Sequence, residues 1–315
     1  MAKKRIATKH LAKATPPPAH PCSIRIGTMV NDGHPEYLRQ LLTHGFESFQ
    51  VNFWQELTVD LETRAAEIAE ALDGSDAVVS SLGIFGNPLD PGHPKHAQTL
   101  AGWKACIDHA HLFGCDLVCG FTGRVIGQPI DASMKAFQKV FGDLSKRAAD
   151  RGVRLAFENC DMGGNWHSGD WNIAHNPSAW EMMFDAVPAD NLGLEWEPCH
   201  QLVNLIDPTP QLRTWPPKVF HVHGKDCTVA WDVVREHGIS GPQPFAWHRT
   251  PGFGDTDWTD IVTILRMNGY VGSIDIEGWH DPVYRDDLEM VGQVRGLQYL
   301  KDCRGGDFVV NPTSS

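Results

Sequence analysis

Leu155-Ala-Phe-Glu158, Leu192-Gly-Leu-Glu-Trp-Glu197, Val219-Phe-His-Val-His223 and Ser273-Ile-Asp-Ile-Glu277 are the stretches that decide how this chain folds. Each is a short apolar run ending on a side chain able to ligate a metal, three carboxylates and one imidazole in all. Successive side chains of a strand point to opposite faces, so Leu155 and Phe157 can face covering helices while Glu158 faces the other way. The same parity pairs Glu195 with Glu197, His221 with His223 and Asp275 with Glu277. Three of the four strands thus carry a second ionisable group one layer, roughly 6 to 7 Å, beneath the strand-end residue. An apolar core does not tolerate that many charges unless a cation or an ion-pair network offsets them.

Outward from these four, the same rhythm runs along the chain. Strands are expected at residues 23–29, 48–53, 77–82, 117–121, 153–158, 192–197, 219–223 and 272–277. Between them lie helical patterns at 61–72, 100–113, 132–151, 179–184 and 257–267, and a last one at 288–300. Gly152, Gly269 and Gly272 sit where a helix must stop before the next strand. Eight strand and helix units predict an α/β fold, a single (β/α)8 TIM barrel over residues 23–303. The competitor is an open doubly wound sheet, but no GxGxxG follows an early strand. Long loops rich in Gly, Trp and His, at 160–174 and 227–256, are expected on the face that carries function.

A chain of 315 residues with 42% hydrophobic content can bury one large core. The formal charge is −12, yet the first 22 residues hold five Lys or Arg and no acid, leaving 22 basic against 39 acidic residues, or −17, in the rest. Residues 1–22 read as a flexible, disordered basic tail and 304–315 as a C-terminal tail, and the acidic body argues against nucleic acid as a partner. Eight cysteines without CxxC spacing read as reduced interior thiols, which predicts a cytoplasmic protein. Neither a signal-peptide h-region nor a membrane-spanning run is legible, so no membrane partner is expected.

Closure of the barrel in sequence order would place strands five to eight side by side. Glu158, Glu197, His223 and Glu277 would then converge on one divalent metal ion. A single Glu or His at a strand end is more often a salt-bridge or cap partner; four such strands in succession are the signal. Oxygen-rich ligation with one nitrogen suits Mn²⁺ best, with Mg²⁺, Co²⁺ or Zn²⁺ able to substitute. His221 is the alternative ligand on the seventh strand, one layer deeper than His223. Asp275 and Glu195 read as partners that orient the ligands or balance Lys and Arg.

Phe157-Glu-Asn159, Gly193-Leu-Glu-Trp-Glu-Pro-Cys-His200, His221-Val-His-Gly-Lys-Asp226, His248-Arg-Thr-Pro-Gly-Phe-Gly254 with Asp257-Trp258, and Asp275-Ile-Glu277 resemble the xylose-isomerase-like TIM barrels, a family of sugar isomerases, sugar epimerases and endonuclease IV. The resemblance spans residues 24–300 and is specific in the second half. The chain departs from it by placing Glu197 where the family usually has the Asp of a DxxH, His200 keeping the spacing. The resemblance implies that Glu158 and Glu277, as the first and last ligands, also carry protons to and from the substrate. A role as ligand alone is the competing reading for each.

His200 and Lys225 are expected to bind or polarise substrate oxygens, although Lys225 could instead pair with Asp226 or Asp257. Arg249, beside His248 in the same substrate-binding stretch, suits a phosphate, carboxylate or hydroxyl pair, or else anchors its own loop. Trp54, with Trp166, Trp171, Trp247 and Trp279, could stack on a sugar face, a role that competes with plain packing. His167 and His175 are extra acid-base candidates. The leading expectation is a divalent-metal-dependent isomerase or epimerase of a sugar or keto-sugar, working through a metal-stabilised enediolate. One alternative is β-elimination on 3-keto-glycosides, as a lyase or C-glycoside deglycosidase catalytic subunit; another is a non-catalytic sugar-binding barrel. A homo-oligomer or a small partner subunit is compatible with these, while the acidic body disfavours DNA cleavage.

Overall fold

The computed structural model describes residues 24–278, 280–305 and 312. The expected basic tail at 1–22, most of the expected C-terminal tail and Trp279 lie outside the described residues. Among the described residues ten strands run in chain order as β1 (Arg25–Asn31), β2 (Ser48–Trp54), β3 (Val78–Phe85), β4 (Leu117–Gly120), β5 (Arg154–Glu158), β6 (Leu192–Trp196), β7 (Val219–Gly224), β8 (Asp226–Val229), β9 (Ala246–Arg249) and β10 (Ser273–Ile276). Eight of them close a parallel barrel in the order β1, β10, β7, β6, β5, β4, β3, β2. The fold is the expected TIM barrel, and β5, β6, β7 and β10 are neighbours in it, as closure in sequence order requires.

Among the described residues ten α-helices surround the barrel and its mouth: α1 (Pro35–Leu42), α2 (Leu61–Ala71), α3 (His96–His109), α4 (Met134–Ala149), α5 (Pro177–Ala186), α6 (Cys199–Val203), α7 (Pro208–Thr214), α8 (Trp231–His237), α9 (Trp258–Met267) and α10 (Glu289–Arg304). Local chemistry sets their starts. Asp60, Asn176, Asp207 and Asp257 each accept a backbone N–H of the first helical turn, and α5 and α7 begin with Pro, whose missing N–H costs nothing there. The outward faces of the strands meet the helices in an aromatic core, where Phe157 of β5 lies 4.8 Å from Phe141 of α4 and also packs on Trp103 and Phe137. Phe157 faces out and Glu158 is the next residue, so strand parity alone turns Glu158 inward.

Inside the barrel the filling is polar. Ser48 and Ser80 donate to the two oxygens of Asp275, and Gln50 Nε2 donates to Glu195 Oε1. All but the half-buried Ser80 are fully buried. Gly27 makes room for this layer, since a Cβ there would stand 2.2 Å from Asp275 Oδ1. The charges expected from strand parity are therefore answered by hydrogen bonds and by imidazoles, as burial demands.

Between β7 and β10 the chain leaves the barrel. β8 and β9 pair antiparallel and flank α8, where the sequence predicts only a long loop. Asp226, at the start of β8, organises the excursion by accepting the N–H groups of Cys227, Gly252, Gly254 and Thr256. At the other end, α10 runs one residue into the expected tail. Its last residue, Arg304, donates to Ile24 O at 2.8 Å and to both oxygens of Glu47. The seven described cysteines are free thiols, and no helix among the described residues is long and apolar enough to cross a membrane.

Candidate metal centre and its cleft

Glu158, Glu197, His223 and Glu277 meet at the C-terminal mouth of the barrel, each offering one ligand atom within 4.8 Å of the others. All four are buried. Both oxygens of Glu197, His223 Nδ1 and Glu277 Oε2 have no hydrogen-bond partner among the described residues. Glu197 Oε1 approaches His200 Nε2 to 2.8 Å without the alignment of a hydrogen bond, and His223 Nδ1 faces Glu277 Oε2 at 3.5 Å. Buried polar atoms normally find partners, so a convergent set of unpartnered acceptors is the donor arrangement that a divalent cation fits. Three carboxylates and one imidazole suit Mn²⁺ or a similar ion.

The other nitrogen of His223 is held from behind. Nε2 lies 2.6 Å from Gln50 Oε1 and 3.0 Å from Glu195 Oε1, which fixes the ring and leaves Nδ1 for the ion. His221 takes no part at the mouth. It sits one layer down, its Nε2 3.2 Å from Asp275 Oδ2, so the deeper histidine is a partner of the polar filling rather than a member of the convergent four.

Lys225 Nζ donates to Glu277 Oε1 at 2.7 Å and stands 3.3 Å from His200 Nε2. The alternative pairing with Asp226 or Asp257 does not occur, because Asp226 is committed to backbone N–H groups and Asp257 caps α9. Burial opposes ionisation of Glu277, but Lys225 at contact distance, with His223 and His280, holds its carboxyl well below the usual range. Burial, and then Glu277 nearby, pushes the Glu158 carboxyl up to about 8. Burial and the Lys225 charge keep His200 uncharged, and the same two causes bring His248 down to about 3. The His248 ring lies 4.9 Å from that of His200 and 5.7 Å from that of His280.

These side chains floor a cavity of about 610 Å³ that Trp54 borders. Arg249 does not line it. Its Nε donates to Asp281 Oδ2 at 3.0 Å and one terminal nitrogen reaches Thr228 Oγ1, the contacts of the loop-anchoring alternative. Of the other tryptophans, Trp171 packs on Trp54, while Trp166 and Trp247 stay outside the cavity. His167 is exposed and His175 is buried, both away from the cavity. His280, which sequence reasoning passed over, enters it with Nε2 3.1 Å from Glu277 Oε1; its spacing of three from Glu277 was the available signal. A second cavity, of about 670 Å³, opens at the opposite mouth and contains none of the four convergent residues.

Asn159 explains one motif that the sequence shows without a reason. Its Oδ1 accepts the Glu197 N–H at 2.7 Å and its Nδ2 donates to Glu197 O at 2.9 Å, tying the ends of β5 and β6 together. Asn172 does likewise for β5, donating to Glu158 O and Cys160 O. Asn159→Ala should lower the unfolding free energy by about 2–3 kcal/mol through two lost buried hydrogen bonds and weaken Mn²⁺ binding by about 10- to 100-fold. Calorimetric titration with Mn²⁺ checks this; an unchanged affinity would mean that something other than Asn159 aims Glu197.

The profile of the xylose isomerase-like TIM barrel family matches residues 38–303, and the chain belongs to that family. An uncharacterised protein of Bacillus subtilis (strain 168), YfiH, is 24% identical over 243 residues, 67% of this chain and 74% of its own. Among solved structures, 3-keto-D-glucoside 4-epimerase YcjR from E. coli superposes with a TM-score of 0.67 at 14% identity, covering 89% of this chain and 100% of that one. L-ribulose 3-epimerase gives 0.64 at 16%, covering 90% and 96%. The IOLI protein with a binding zinc atom gives 0.60 at 16%, covering 88% and 96%. At these identities the likeness is one of fold.

Proposed function

We propose that this chain is a divalent-metal-dependent enzyme that isomerises or epimerises a sugar or keto-sugar by relocating one proton. The observation that carries the reading is the convergence of Glu158, Glu197, His223 and Glu277, three of them with unpartnered atoms, beside a cleft that Glu158 and Glu277 line. Two structures of the same fold are epimerases and a third binds zinc, which supports the reading. Once bound, a cation such as Mn²⁺ supplies Lewis acidity that makes a C–H beside a sugar carbonyl acidic.

The protein residues do the rest. Before a cation binds, burial and then Glu277 raise the Glu158 carboxyl to about 8 while Lys225 holds Glu277 low. With the Glu158 proton displaced on cation binding, that carboxylate would take the carbon-bound proton and return it to the enediolate, or Glu277 would exchange it from the opposite side. Two carboxyls whose surroundings drive their proton affinities apart are the usual means of dividing acid and base roles. Lys225 Nζ, buried and fixed on Glu277, presents positive charge to a substrate oxygen, and uncharged His200 and His248 offer hydrogen bonds to hydroxyl groups. Incubation with Mn²⁺ and a panel of ketoses in D₂O should place deuterium on the carbon next to the carbonyl, read by NMR. No exchange with any member would count against this function.

A further inference from the structure

The cleft has two unlike halves. Glu158, Glu277, His200, Lys225 and His248 make one of them polar. The rest of the lining includes Met29, Phe85, Phe121 and Met162, with Cys160, whose sulfur lies within 4.8 Å of ligand atoms of Glu158 and His200, at the border between the two halves. Four of these, Met29, Phe85, Phe121 and Cys160, form an apolar cluster of their own, separate from the main core and joined by Met162 and Trp171. The aromatic rings stand edge to face, Phe85 5.2 Å from Phe121 and Phe121 6.2 Å from Trp54. Trp54, in ring contact with Phe121 and Trp171, continues the wall and still leaves 54% of its surface exposed beside the cavity. Between the halves, buried Asn52 lines the cavity with neither side-chain atom hydrogen-bonded among the described residues.

Charge narrows the ligand further. The rim carries Asp32 and Asp161, no arginine lines the cavity among the described residues, and Lys225 already faces Glu277. A phosphate held away from the ion site and Lys225 would meet Asp32 and Asp161 with no arginine beside it, at a cost that a neutral ligand avoids.

We propose that the substrate is an uncharged sugar bearing an apolar, aromatic-sized substituent, with the sugar at the carboxylate and histidine half and the substituent on the Phe85, Phe121 and Trp54 wall. The sugar half of this inference rests on the proposed function; the substituent is read from the wall itself. Asn52 supplies a hydroxyl contact at the junction.

The test is calorimetric binding to the Mn²⁺-loaded protein of D-glucose, D-galactose and D-xylose, of their 4-nitrophenyl glycosides, of D-glucose 6-phosphate and of 4-nitrophenol alone. At least one glycoside should bind tenfold or more tightly than both its parent sugar and nitrophenol, with the phosphate no better than glucose. Trp54→Ala, at an exposed site that the fold does not need, should cost that glycoside at least fivefold more than it costs the parent sugar. Parent sugars that bind as tightly as all their glycosides, a preference for the phosphate, nitrophenol equal to the glycosides, or equal losses in Trp54→Ala would each overturn the inference. Titration with Mn²⁺ alone judges the underlying function separately: absence of metal binding there, beside a clear glycoside preference, would remove the metal chemistry and leave the substituent subsite standing.

Discussion

Glu158→Gln should slow proton exchange by about 10²- to 10⁴-fold, the usual contribution of a general base, while leaving the unfolding free energy measured without added metal within about 1 kcal/mol of the parent protein. The Glu158 side chain makes no hydrogen bond or ion pair with another described residue, and burial already favours its uncharged form. An amide of the same shape therefore orphans nothing. Glu277→Gln is a poorer probe because it strips buried Lys225 of its partner at 2.7 Å, a loss of about 3–5 kcal/mol for a broken buried pair. Solvent exchange by NMR and thermal unfolding, run side by side on Glu158→Gln, give both numbers. Wild-type exchange rates in that variant would sink the assignment of Glu158 as base.

Mn²⁺ affinity should fall steeply with acidity, by at least about tenfold for each pH unit below about 8 and so at least about 100-fold between pH 8 and pH 6. The sign follows from the site. Burial, and then the Glu277 charge, raises the Glu158 carboxyl to about 8, so below that pH it holds a proton that a cation must displace. Above it the Glu158 carboxylate is already formed, and the remaining pH dependence is that of His223, which Glu195 and Glu277 hold protonated against its burial. Titrations in two buffers of different ionisation enthalpy should register release of more than one proton at pH 7, about one from Glu158 and a further one from His223. Equal affinity at pH 6 and pH 8 would exclude Glu158 from the ligand set.

The barrel was legible because its strands are β-branched or apolar runs with abrupt polar ends, and all eight were placed within about three residues of where they lie. Glu158, Glu197, His223 and Glu277 were legible for the same reason: strand parity and sequence-order closure are enough to bring them together. The β8 and β9 hairpin was not. Its strands are four residues each, with little of the buried alternation that marks a strand, and its order comes from Asp226 gathering four N–H groups across some thirty residues. The partner of Arg249 was not legible, because a guanidinium beside a functional motif gives no sign of it and Asp281 lies 32 residues away. His280 and Asn159 owe their positions to side-chain contacts that spacing only hints at.

The polar filling of the barrel has a consequence for anyone who would retune this protein. Ser80 and His221 border the cavity at the far mouth, Asp275 joins them, and Glu195 stands 4.0 Å from His221 and 3.0 Å from His223. Along this column the contacts named are polar from one mouth of the cylinder to the other. Ligand basicity at the working end is therefore adjustable from beneath, by altering the floor, without laying a finger on any group that meets the sugar.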